Sequence, residues 1–170
     1  MSKDIISYIV LFVVLVLLQV MVLNHISVMG YGIPLLYIYF ILVLPASLSP
    51  NWVVTLGFLL GLTIDLFCDT PGMNALASTV TSAVRQPMLN VFVSREDVPV
   101  AVPSAHSLGM GVFLKYALVM VFIQNILIYT IEAFTIFHYL TLLLKIVSGT
   151  FLSFILIVGI ESLKLGKSEK

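Results

Sequence analysis

Apolar residues run along this chain in blocks too long and too uniform to face water on either side. The blocks cover 5–23, 33–48, 52–68, 73–93, 112–131 and 139–163, and short polar or Gly/Pro-rich stretches separate them. A helix needs roughly 20 apolar residues to cross the hydrocarbon of a bilayer. The pattern therefore predicts an all-α polytopic membrane protein, a six-transmembrane-helix bundle forming a single membrane domain over residues 1–170. The first block follows Lys3, exceeds a signal-peptide core and lacks a small-residue cleavage site, so it reads as a retained first span. The second is entered through Gly30-Tyr-Gly32 with Pro34 in its first turn, and Pro45 kinks its far end. The fourth either bends at Pro87 or turns there along the interface. The sixth is long enough to require tilt.

Composition supports the same class. Of the 170 residues, 61% are hydrophobic and 9% charged, and the mean hydropathy is +1.17. Soluble domains average about 45–50% apolar and about 25% charged, so a water-soluble globule of this composition would lack a surface. Eight basic and eight acidic residues cancel and are scattered, which argues against nucleic acid as a partner. The single cysteine, Cys68, excludes an internal disulfide framework and most metal-site spacings.

The positions of the cations orient the bundle. Lys3, the pair Arg95 and Lys115, and Lys164, Lys167 and Lys170 lie in the N-terminus, the fourth-to-fifth connection and the C-terminus, whereas 24–32, 69–72 and 132–138 hold no Lys or Arg. With six spans these two sets face opposite sides, and the positive-inside rule makes both termini cytoplasmic. A rival count of five, with the second and third spans merged into a re-entrant unit, would put the Lys-rich tail beside uncharged loops. Six is preferred. The long connection from Ser94 to Gly111 contains Arg95-Glu96-Asp97, Pro99, Pro103 and Ser104-Ala-His106-Ser107, and reads as an irregular cytoplasmic linker or a docking strip.

Within the third block, Gly57, Gly61 and Asp65 recur every four residues and so share one helical stripe. Two glycines at that spacing allow another helix to approach closely. A carboxylate buried in a bilayer costs roughly 2.5–3.5 kcal/mol at the midplane, so it is paired or used. Asp69, one turn later, belongs at the outer interface with the tight turn Thr70-Pro71-Gly72. On the fourth helix Ala77, Thr81 and Arg85 share a stripe. Arg85 sits within the inner half or snorkels to the cytoplasmic interface, and the second placement is favoured. Lys145 lies at a depth comparable to Asp65, so an Asp65–Lys145 pair is expected, with Glu132 as the competing partner of Lys145. Gln124 and Asn125 are positioned to add interhelical hydrogen bonds.

Catalytic constellations are weak. Asp65 and Asp69 are four apart, but one lies in a turn and neither has a nearby histidine. His25, His106 and His138 are far apart and lack ligand spacing. Ser104 and Ser107 flank His106 without an aspartate or a glycine elbow. No enzyme activity, cofactor or metal is expected.

The stretch Gly57-x3-Gly61-x3-Asp65-Leu-Phe, followed by Pro71-Gly72 and Met73-Asn74-Ala75-Leu, resembles the most recognisable part of the bacterial rod-shape-determining MreD family. The length, the apolar spans and the cytoplasmic ends agree with that family. Many of its members carry an extra residue between the proline and glycine of the turn, which are adjacent here. The resemblance implies a non-enzymatic inner-membrane subunit of the cell-elongation complex. Such a subunit would scaffold an MreC-like bitopic protein and, through it, MreB, RodA and its transpeptidase, in regulating peptidoglycan synthesis and cell shape. It implies a fold similar to the six-helix substrate-binding subunits of energy-coupling-factor transporters. It makes Gly57, Gly61, Asp65, Asp69, Pro71, Gly72, Arg85 and Lys145 the structural or partner-interaction candidates. The alternative, from fold analogy alone, is a substrate-binding membrane subunit of a small-solute or vitamin transporter, with Asn24, His25, Asp69, Asn74, Glu132 and His138 lining an outer pocket.

Overall fold

A computed structural model describes residues 2–26, 32–93, 102–133 and 139–168. Arg95-Glu96-Asp97, Pro99 and His138 fall outside them, as does the Gly30-Tyr31 part of the entry to the second block. The architecture is all-α: α1 (Ser2–Met21), α2 (Ile38–Val43), α3 (Pro50–Cys68), α4 (Met73–Phe92), α5 (Ala105–Leu108), α6 (Met110–Ala133) and α7 (Tyr139–Ser168). A short 3-10 turn, Leu23–His25, follows α1. Four helical stretches are long and apolar enough to cross a membrane: Ile5–His25, Pro50–Cys68, Met110–Ala133 and Tyr139–Gly166. The chain is a multi-pass membrane protein. Its lipid-facing surface consists of exposed apolar side chains, Ile5, Ile9 and Val13 on α1 and Leu140, Leu143, Val147 and Phe151 on α7 among them.

The second block departs from expectation. Only Ile38–Val43 of residues 33–48 is α-helical, and every residue from Pro34 to Leu44 is buried. The two prolines explain its length. Leu44, before Pro45, is extended at φ −58° and ψ 145°, since a residue preceding proline avoids the helical region. At the other end, Pro34 has no N–H, and the amides on either side of it bond to side chains. Leu36 N–H donates to Gln19 Oε1 (2.9 Å), Leu35 N–H to Ser153 Oγ (2.7 Å) and Ile33 N–H to the Tyr129 hydroxyl (3.1 Å). Gln19 Nε2 donates in turn to Pro34 O at 3.0 Å. Non-helical backbone is tolerated at membrane depth only where protein satisfies it. Here α1, α6 and α7 each supply a partner. This segment is the axis of the bundle rather than a lipid-facing helix.

α4 also differs from its four long neighbours. It is 20 residues long and runs unbroken through Pro87. Its inward face is polar: Asn74, Ser78, Thr81, Ser82 and Arg85 are all buried. α3 and α4 form an antiparallel hairpin, the most extensively packed pair in the molecule. After 102, Ser104 caps α5 through a reciprocal bond with Ser107, and Ala105 N–H donates to Glu161 Oε2 of α7 at 2.7 Å.

Candidate functional site

The Gly57-Gly61-Asp65 stripe faces α4. A methyl group on Gly61 would lie 2.3 Å from Asn74 O and 2.6 Å from Ala75 Cα, both backbone atoms. One on Gly57 would lie 1.9 Å from Ser82 Oγ. The glycines are therefore spent on the hairpin's own interior, where they bring two backbones into contact.

That approach delivers Asp65 to the start of α4. Its Oδ1 accepts from Asn74 N–H (3.0 Å), Asn74 Nδ2 (2.9 Å) and the Thr70 hydroxyl (2.7 Å), and its Oδ2 accepts from Ala75 N–H (2.8 Å). The expected Asp65–Lys145 pair is not formed. Lys145 Nζ instead meets Glu132 Oε1 at 2.6 Å, the alternative weighed for it. The physical reason is local. The first amides of a helix are unsatisfied donors at the positive end of its dipole. Gly72, the N-cap residue, has no side chain to serve them. Asp65 does so from the preceding helix. The turn that brings the two together places Asp69 at φ 54° and Gly72 at φ 78°, both left-handed. Asp69 and Pro71 are exposed there.

From Asn74 a hydrogen-bonded chain runs into the bundle. The Tyr37 hydroxyl donates to Asn74 Oδ1 (2.8 Å), Gln124 Nε2 donates to Tyr37 Oη (2.8 Å), and the Thr81 hydroxyl donates to Gln124 Oε1 (2.6 Å). Gln124 bonds between helices as expected. Asn125 Nδ2 returns to Val121 O on its own helix, and its Oδ1 has no partner.

Arg85 does not snorkel. It is 0% exposed, it donates through one terminal nitrogen to Leu44 O, and Nε and the other terminal nitrogen have no partner. Tyr116 lies beside the guanidinium, but no hydrogen bond of acceptable geometry joins them, and the neighbouring Ser82 Oγ is also unpartnered. The prolines that shorten α2 leave the Leu44 carbonyl outside the helix, and this carbonyl holds the cation inside. A further buried charge, Glu161, accepts from Tyr39, which is also contacted by Lys164. Sequence reasoning assigned no role to Gln19, Tyr39, Tyr129, Ser153 or Glu161; their polar groups at mid-block positions were the available signal.

At the end of the bundle bearing the α3–α4 turn lies a cavity of about 560 Å³. Its rim carries exposed His25, Phe67 and Asp69, and its floor is buried Leu35, Asn74, Ile128 and Tyr129. Asn24, Cys68, Thr70 and Glu132 complete the polar lining. Five of the six residues expected around an outer pocket thus converge, and His138 lies outside the described residues. Among the described residues, no group of three His, Cys, Asp or Glu side chains is placed to hold a metal ion. Compared with family models, curated proteins and solved structures, the chain matches none.

Proposed function

We propose that this chain is a non-enzymatic inner-membrane subunit of the cell-elongation machinery. It would have cytoplasmic termini and hold an MreC-like bitopic protein and, through it, the peptidoglycan synthases. One observation carries the reading: the residues that resemble the MreD family form one closely packed, hydrogen-bonded unit. Gly57 and Gly61 set the α3–α4 contact, Asp65 caps α4, and Pro71-Gly72 makes the turn. Each has a structural use and none is left poised for chemistry. In this reading 33–48 and α4 cross the membrane with the four apolar helices, completing the six crossings of an energy-coupling-factor-like bundle. The apolar faces of α1 and α7 are the surfaces on which a single-span partner packs.

Depleting the chain in its own host, and isolating it in mild detergent, tests this. Rounding of the cells and recovery of a bitopic MreC-like protein are expected. Rod growth without the chain, with no such protein recovered, refutes the scaffold. A neighbouring reading frame for a bitopic shape protein supports it, and one for a pair of transport ATPases opposes it.

The cavity favours a second reading, a small-solute-binding membrane subunit. At about 560 Å³ it falls within the roughly 300–1,000 Å³ usual for ligand sites, with apolar walls and a few convergent polar groups.

A further inference from the structure

Which solute the cavity would take can be argued from its lining, given the second reading above. Its walls are Val20, Ile33, Leu35, Phe67, Met73 and Ile128. Among the described residues no Lys or Arg lines it, whereas two carboxylates do, Asp69 and Glu132. The amide and hydroxyl donors of Asn24, Asn74 and Thr70 are used within the wall, while the His25 ring on the rim and the Tyr129 hydroxyl keep a donor each. Asn24 Nδ2 donates to Cys68 Sγ (2.7 Å), Asn74 Nδ2 to Asp65 and to Thr70 Oγ1 (3.2 Å), and Thr70 Oγ1 to Asp65. The Tyr129 oxygen already accepts from Ile33 N–H. Glu132 is matched by Lys145. Asp69 is different: exposed on the rim, it has no polar partner among the described residues. Its position is imposed by the backbone, because the left-handed φ of 54° that ends α3 aims the following chain back into α4. The lining thus offers spare acceptors, one of them an unmatched negative charge, beside an apolar floor.

We infer that the cavity binds a small amphipathic organic cation, with its ammonium group at the Asp69 carboxylate and its apolar body against Leu35, Met73 and Ile128. An anion of the same size is disfavoured by the unmatched Asp69 carboxylate, and a neutral molecule forgoes the charge-assisted bond, the stronger kind.

Cys68, the only cysteine in the sequence, lines the cavity and provides a reporter. Purified protein in detergent is alkylated with a maleimide while tryptamine, indole-3-ethanol or indole-3-acetate is titrated. These three probes have similar bulk and carry positive, zero and negative charge. The inference expects tryptamine to slow Cys68 alkylation at concentrations at least tenfold lower than the neutral analogue, with the anion weakest. Asp69→Asn is the paired variant, since asparagine tolerates the left-handed conformation while removing the charge. In it, tryptamine should protect no better than indole-3-ethanol. Equal protection by all three probes, or undiminished preference for the cation in Asp69→Asn, overturns the inference and leaves the solute-binding reading standing. Free alkylation that none of the probes slows at millimolar concentration removes both. Failure of the maleimide to reach Cys68 also removes both, because the cavity is then closed. Gel filtration of Asp69→Asn confirms that the variant is folded.

Discussion

Replacing Asp65 with alanine tests how this bundle tolerates a buried carboxylate. The change leaves the Asn74 and Ala75 amides without acceptors and removes the bonds from the Asn74 amide group and the Thr70 hydroxyl. A buried backbone donor left unsatisfied costs about 1–3 kcal/mol. Interhelical side-chain bonds in membranes average roughly 0.6 kcal/mol. The exposed turn next to α4 admits some water, so the amides fall in the lower part of their range. The expected loss is about 3–4 kcal/mol. Asparagine retains one carbonyl acceptor, so Asp65→Asn should lose about half as much. Reversible unfolding in mixed micelles measures both, alongside Lys145→Ala and the Asp65→Ala/Lys145→Ala double variant. Because Lys145 bonds to Glu132, the two single effects should add to within about 0.5 kcal/mol. A coupling above about 1 kcal/mol, or an Asp65→Ala protein within about 1 kcal/mol of the parent, would refute the capping account.

Gly61→Ala should destabilise by about 2–3 kcal/mol and Gly57→Ala by about 1–2 kcal/mol, since the first clashes with backbone and the second chiefly with the Ser82 hydroxyl, which can rotate, and less closely with Ser82 Cβ and Ser78 O. Unfolding should show that Ser82→Ala relieves the Gly57 variant in part and leaves the Gly61 variant unchanged. Arg85→Met removes a buried cation with no matched anion among the described residues, so the variant should unfold at equal or higher denaturant than the parent. A marked loss of stability would mean that an anion occupies the guanidinium in the membrane. Gln19→Leu strands the Leu36 amide and should cost about 1–3 kcal/mol by the same unfolding measurement, with hydrogen exchange accelerated at that amide.

Membrane residence, the helix boundaries of α1, α3, α6 and α7 and the small-residue face of α3 were all legible in the sequence. Each follows from residue type and period alone. The partner of Asp65 was not. Depth along the helices made Lys145 its equal, but the choice was decided by the three-dimensional turn that sets the start of α4 beside Asp65. Residues 33–48 were misread as a helix for a related reason: an apolar run looks the same whether it faces lipid or lies wholly inside protein. Pro34 and Pro45 were the only local signs. The polar residues that stitch this run in place, Gln19, Tyr129 and Ser153, sit 17, 96 and 118 positions from the amides they serve, Leu36, Ile33 and Leu35, and their polarity alone did not say which backbone they meet. Arg85 was located on the correct helix, but the snorkelling placement was favoured over the inward one, because the carbonyl that retains it belongs to Leu44 on a distant segment.

The stitched segment imposes an order on biogenesis. Leu35 donates its amide to Ser153, so the middle of the bundle has no complete set of partners until the last helix has been synthesised. Residues 33–44 must therefore wait, either in the insertion machinery or at the interface, while more than a hundred residues that follow them are delivered. An arrest or truncation ahead of α7 leaves the Leu35 amide without its acceptor, so the product is an incomplete bundle rather than a smaller working one.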